Sequence, residues 1–354
     1  MKLLPRSHRT PSDGPSVSNY VLITLTTVAL LAATFALLVS RFGSGISPSD
    51  MADMHARNPD MVALPFDLRY YSAYKLRRAE WIAPELVVLG SSRGGSFQAK
   101  QFAPHAFYNM SFTAWTFEQL TDEFERLLQV VHPRIVILPL DFFMFSDQWE
   151  SSSNDRAMIY DQPRYLKTSI ANLLRTLYVN PNLLSQAIHS SFLGIQAMSS
   201  KEGFRADGSY LYSTEYINYS AERRLNGEFF ISSFPGGATM SEDGKAQLKR
   251  FASLARERNV TLVAIQLPIL TAAVDILDHS ESYHPYAGVW RAFGSPANRA
   301  WLEGLGIHFF DLSHSDMDQD PSYFIDAAHL SEKGMAELIT RLHQDAEFSR
   351  IVWP

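Results

Sequence analysis

A chain of 354 residues can bury a sizeable core, and its net charge of −6, with no dense run of Lys or Arg, argues against nucleic acid as a partner. Cysteine is absent, which excludes cysteine nucleophiles, redox motifs and thiolate metal sites while remaining compatible with an extracytoplasmic domain. There is no His-Glu-x-x-His, no EF-hand loop and no Gly-x-x-x-x-Gly-Lys-Ser/Thr, so no metal and no cofactor is expected.

From Gly14 to Ser40 no side chain is charged, and Tyr20 to Ser40 is almost wholly apolar or small. At about 1.5 Å rise per residue this run spans a bilayer core of about 30 Å, so residues 20–40 are expected to form one transmembrane helix. Lys2, Arg6 and Arg9 precede it, whereas Arg41 is followed by Asp50 and Asp53. The positive-inside bias therefore puts a tail at 1–19 in the cytoplasm and the rest of the chain in the periplasm or extracytoplasmic space. A cleaved signal peptide is the alternative. Its apolar core normally runs about 7–15 residues to a small-x-small site, and this run is longer and ends in Leu-Val-Ser-Arg-Phe-Gly.

Residues 41–80 read as a tether, to about residue 60, and an entry segment in which aromatic and apolar residues return from Met61 to Tyr74 and folding begins, leading into a domain at 81–354. Five nearly continuous apolar runs are expected as strands covered on both faces, and so parallel: Leu86–Leu89, Phe107–Met110, Ile135–Leu140, Leu262–Leu267 and Ile307–Leu312. Helices alternate with them. Thr116 and Gln119 make a capping box for 117–131, Ser241 opens 242–258, Ser295-Pro296 opens a helix ending at Gly306, and Ser331 opens a last one with Met335, Leu338, Ile339 and Leu342 on one face. The pattern indicates a three-layer α/β/α fold. Residues 146 to about 240 break it and are expected to be a mostly helical insertion. It holds helices at 163–178 and 181–198, a hairpin signal at Asp207-Gly208, and a run of tyrosines (Tyr210, Tyr212, Tyr216, Tyr219) that is either core or a stacking surface for a sugar chain.

Chemistry-bearing residues gather at two places. Gly90-Ser91-Ser92-Arg93 follows the first strand, at the sheet end where α/β proteins bind ligands, and a serine opening the next helix has backbone N–H groups beside it. Asp326-Ala-Ala-His329 precedes the last helix. A serine hydroxyl needs a histidine to take its proton and a carboxylate to orient that imidazole, and Asp326 and His329 share one short loop. Taken singly, each segment reads as readily as a helix cap.

Together they resemble the SGNH, or GDSL-like, hydrolase superfamily, whose first block is Gly-Asp-Ser and whose last is Asp-x-x-His. The resemblance covers about 81–145 and 241–354 and implies a flavodoxin-like parallel sheet, Ser92 as nucleophile, His329 as general base and Asp326 as its orienting carboxylate. Gly-Ser-Ser beside a single membrane anchor looks most like the branch that O-acetylates envelope polysaccharides or transfers D-alanine to teichoic acids. That implies a serine O-acyltransferase or esterase, a glycan substrate and a polytopic acyl-exporting membrane partner. The family's second and third blocks supply a glycine N–H and an asparagine amide to the oxyanion. Here the matching strand ends read Asn109-Met-Ser111 and Pro139-Leu-Asp141, so Ser111 and Asn109 are candidate donors, while an ionised Asp141 would oppose an oxyanion. Arg93 is a candidate for a substrate anion or a packed surface arginine. The altered blocks leave open a catalytically silent scaffold or glycan-binding subunit.

Overall fold

Helix α1 (Val17–Arg41) is, among the described residues, the one helix long and apolar enough to cross a bilayer, and its window Val17–Thr34 is buried against nothing. The computed structural model describes residues 17–41, 47–153, 158–159, 162–186, 190–223, 225–284 and 286–353. The tail expected at 1–19 falls almost wholly outside these residues, as do residues 42–46 of the expected tether.

Much of that tether is folded. Ser47 caps α2 (Pro48–Arg57), its hydroxyl accepting from the Asp50 N–H while the Asp50 carboxylate accepts from the Ser47 N–H. Met51, Ala52 and His55 are buried, and α2 packs on α3 (Tyr71–Ile82). A short capped helix rich in Ser, Pro and Asp has the composition of a loop. Only its burial distinguishes it, and burial is a tertiary fact.

The chain makes nine described strands: β1 (Val62–Ala63), β2 (Leu86–Gly90), β3 (Phe107–Ser111), β4 (Ile135–Pro139), β5 (Phe192–Leu193), β6 (Gly203–Phe204), β7 (Tyr210–Leu211), β8 (Thr261–Gln266) and β9 (Ile307–Asp311). Five form a sheet in the order β3-β2-β4-β8-β9 with every neighbouring pair parallel. All residues of β2, β3 and β4 are buried, as their unbroken apolar runs require of strands covered on both faces, whereas edge strand β9 is only partly covered.

Helix α4 (Phe117–Val130) starts at Thr116, whose hydroxyl accepts from the Gln119 N–H. The reciprocal bond is displaced by one residue, Gln119 Oε1 accepting from Trp115 N–H at 2.9 Å. The expected insertion contains α5 (Asp147–Ser153), α6 (Gln162–Val179), α7 (Leu183–Gln186), α8 (Ile195–Ser200), α9 (Thr214–Arg223) and α10 (Gly227–Ser233), besides β5, β6 and β7. The helix expected at 181–198 is two short helices flanking β5, because Phe192 and Leu193 pair with Val62 and Ala63 of β1. This second sheet has the order β5-β1-β6-β7. It ties the lead-in to the insertion, a pairing that local periodicity does not contain. Asp207-Gly208 does turn a hairpin, with the Gly208 N–H donating to Arg205 O.

Four helices return to the main sheet: α11 (Glu242–Glu257), α12 (Thr271–His279), α13 (Gly288–Phe293) and α14 (Pro296–Gly304). Helix α15 (Glu332–Gln344), capped by Ser331, buries Met335, Leu338, Ile339 and Leu342, and α16 (Ala346–Val352) follows. The chain is thus an α/β protein with a parallel sheet flanked by helices and preceded by one apolar helix.

Candidate active site

At the carboxyl end of β2, Gly90 adopts φ +141, a value L side chains rarely reach, and the chain leaves the strand in a tight turn from Ser91. Ser91 caps that turn by accepting the Arg93 N–H. The turn then passes so close to the sheet that a Cβ on Gly94 would sit 2.9 Å from Pro139 Cγ and 3.0 Å from Val88 Cγ1. Ser92 is left partly exposed at the sheet's end.

The Asp326–His329 loop reaches the same point from the other end of the chain. Phe324 bridges Leu330, and the Ile325 N–H donates to His329 O, which pinches the loop shut. Asp326 Oδ1 accepts the backbone N–H groups of Ala328 and His329, each at 2.8 Å. The His329 ring then stands between the two partners: Nδ1 lies 2.9 Å from Asp326 Oδ1 and Oδ2, and Nε2 lies 2.8 Å from Ser92 Oγ. With Nδ1–H donated to the carboxylate, Nε2 is the acceptor for the serine O–H. Burial raises the cost of ionising Asp326, but attraction to His329 and the hydrogen bonds from His329 and Ala328 outweigh it and hold the carboxyl down at about 2.

A second Ser–His–Asp grouping serves as a contrast. His314 lies 3.1 Å from Ser313 Oγ and 3.2 Å from Asp278 Oδ2, but Ser313 gives its proton to Asp311 Oδ1 at 2.6 Å and is buried. It offers no nucleophile.

No family model and no curated protein matches the chain. Among solved structures it is similar to a Bacteroides fragilis protein provisionally assigned as an acylhydrolase, at 12% identity and a TM-score of 0.39, over 81% of this chain and 99% of that one. It is also similar to a GDSL-like lipase of Bacteroides thetaiotaomicron, at 10% identity and a TM-score of 0.37, over 80% of this chain and 99% of that one. What the site can do follows from its geometry.

The other candidates lie near Ser92 but are committed elsewhere. Asn109 donates both amide hydrogens, to Gly94 O at 2.8 Å and Phe97 O at 2.9 Å, while its Oδ1 accepts the Ser111 N–H at 2.8 Å. Neither Asn109 nor Ser111 is free to receive an oxyanion; they fasten the nucleophile turn to β3. The backbone N–H groups of Ser92 and Phe112 have no acceptor among the described residues, and Phe112 holds φ +69, a conformation normal for glycine.

Arg93 does not await a substrate anion. Its guanidinium is fully buried against Asp141, with Nη2 2.9 Å and Nε 3.1 Å from Oδ1. It also donates to the carbonyls of Leu267 and Ala328. Burial pushes the Asp141 carboxyl up from its ordinary value and Arg93 opposes that push only in part; in the ion pair the two opposite charges face each other rather than the site. Because Ala328 lies in the histidine loop, Arg93 ties that loop to the turn carrying Ser92; Ser96 Oγ adds a bond to Leu330 O at 2.8 Å. An arginine beside the serine of an apolar strand end is the sequence signal for this strut; its guanidinium is buried against Asp141 rather than packed at the surface.

Two further features carried weaker signals. Lys75 of α3 is buried and donates to the carbonyls of Asn109 (2.8 Å), Ser111 (2.7 Å) and Gly208 (3.0 Å), lying 4.0 Å over the Phe204 ring. It fixes the β6–β7 hairpin to the end of β3, and burial pushes its ammonium well below the usual value. From the insertion, the rings of Tyr212 and Phe234 lie 6.4 Å and 6.3 Å from that of His329. Tyr212 continues a stack from Tyr210 to Tyr216, but Tyr210 packs on Phe112 and Phe204 and belongs to the core. The Tyr219 side chain lies outside the described ones.

Proposed function

We propose that the chain is an acyl-ester enzyme working through an acyl-Ser92 intermediate. The observation that carries this is the hydrogen-bonded line Ser92–His329–Asp326, closed by residues 237 positions apart along the chain. In the reaction, Ser92 Oγ attacks the acyl carbonyl as its proton passes to His329 Nε2, and Asp326 stabilises the imidazolium. His329 then gives the proton to the departing alcohol. An acceptor hydroxyl, from a sugar or from water, repeats the sequence in reverse and frees the serine. Developing negative charge on the carbonyl oxygen falls to the uncommitted N–H groups of Ser92 and Phe112.

The reading extends to place and substrate. Helix α1 anchors residues 47–354 on the outer face of a cytoplasmic membrane, where a polytopic partner delivers acyl groups and an envelope polysaccharide accepts them. Tyr212 and Phe234 beside His329 support a sugar ring as acceptor, since aromatic faces suit the apolar faces of sugars. The 146–240 segment then works as a cover over the site. The competing reading, a silent glycan-binding scaffold, draws on the commitment of Asn109 and Ser111 to structural bonds. The two separate on covalent chemistry: the full chain, given a small activated ester, should release acyl groups and be labelled at Ser92 by a fluorophosphonate, and His329→Ala should abolish both. A full chain that neither turns over nor labels is a scaffold.

A further inference from the structure

Helix α6 is basic in an acidic protein. Gln162–Val179 contains Arg164, Lys167 and Arg175 and no Asp or Glu, while the chain carries a net charge of −6. Leu173 is buried with Leu183, Ile195 and Met198, and Leu177 packs against the same cluster. On the other side Leu174, Tyr178 and Val179 are 56%, 90% and 75% exposed. Lys167, Ala171, Leu174, Arg175 and Tyr178 fall at helical spacing on one face, and all five are exposed. An outward strip of leucine, tyrosine and valine beside Lys167 and Arg175, on a helix with no acidic residue, fits a bilayer surface with anionic headgroups.

Its position in the chain points to the same occupant. Phe192 packs against both the Leu173 cluster and the cluster containing Met51 and Ala52 of α2. Ser47, the cap of α2, lies six residues after Arg41, which closes α1. Six residues span at most about 22 Å when fully extended. A bilayer holding α1 must therefore lie within that reach of Ser47 and so beside α2, whose cluster is joined to that of α6 through Phe192.

We infer that the exposed face of α6 rests on the anionic lipid surface beside the anchor, giving the domain a second attachment that sets its orientation on the membrane. This rests on the reading of α1 as a bilayer-spanning anchor, and is independent of the acyl chemistry. One attachment leaves a domain free to swivel; two fix which side faces outward.

The absence of native cysteine allows single-site labelling of the full chain. Leu174→Cys, Tyr178→Cys and, as a control on α11, Glu257→Cys would each carry an environment-sensitive fluorophore in vesicles of phosphatidylethanolamine and phosphatidylglycerol. The labels at 174 and 178 should shift to the blue and be quenched by lipids bearing nitroxides near the headgroup, with the label at 257 unaffected. Lys167→Glu with Arg175→Glu should remove that quenching, as should pure phosphatidylcholine. If the chain floats with the vesicles but 174 and 178 are quenched no more than 257, the inference is overturned while the anchor stands. A chain that fails to float overturns both. A blue shift without lipid quenching, accompanied by crosslinks between copies, overturns it in favour of self-association.

Discussion

In the proposed reaction Ser92, His329 and Asp326 have separate jobs, and their variants should differ. Ser92→Ala removes the nucleophile and should lower kcat by about a thousandfold or more, measured with an activated ester. Asp326→Asn keeps the shape but lets the ring adopt the wrong tautomer, and should cost about 10⁴-fold in kcat. His55 offers a test unconnected with chemistry. It is buried, with Nε2 2.8 Å from Met61 O and Nδ1 bonded to the Tyr74 hydroxyl, a pattern that suits the neutral ring. Burial, helped by Arg78, pushes its pKa down to about 4. The unfolded chain, with an ordinary histidine, binds the proton more readily than the folded one between about pH 6.5 and pH 4, so stability should fall as pH falls through that window, by at most about 3 kcal/mol. Chemical unfolding at several pH values should show that slope in the parent chain, and His55→Gln should flatten it.

The element that matters most is the turn at Gly90–Ser96. It presents Ser92, the proposed nucleophile, after Gly90, lies flat on the sheet through Gly94, and holds the histidine loop through Arg93 and Ser96. Gly94→Ala would press a methyl group into Pro139 and Val88 and should cost about 1–3 kcal/mol while displacing Ser92. Arg93→Met strands Asp141 in the interior and should cost about 3–5 kcal/mol in unfolding experiments. Adding Asp141→Leu should recover much of that stability without recovering activity, since the tie to Ala328 stays lost. The β6–β7 hairpin depends likewise on Lys75. Lys75→Met leaves three carbonyls without their donor and should cost about 3 kcal/mol.

At the scale of the molecule, the apolar helix α1 and the domain are separated by far less chain than composition suggests. Helix α2 is capped at Ser47, six residues beyond the end of α1, so with α1 as the proposed anchor a site carried by this domain would work close to the bilayer rather than at the end of a long leash. The charge bias around α1 makes the topology testable: an alkaline phosphatase reporter fused after residue 60 should be active, and a reporter that works only in the cytoplasm should be silent there. The opposite pattern would reverse the orientation and remove envelope polymers as substrates.

The five main strands were legible because each reads as a nearly continuous apolar run, the pattern that covering of both faces imposes on the central strands, and the caps at Ser241, Ser295 and Ser331 because capping is a local bond between residues three apart. Ser92, Asp326 and His329 could be nominated from local patterns and a family resemblance. What lay beyond the sequence was every feature made by residues distant along the chain. The burial of α2, the pairing of β1 with β5, the diversion of Asn109 and Ser111 into structural bonds, and the role of Arg93 all depend on partners that no local window contains. Sequence periodicity reports which faces are covered. Only the tertiary structure decides by what, and for buried polar groups the identity of the partner determines whether a side chain meets substrate or holds the fold together.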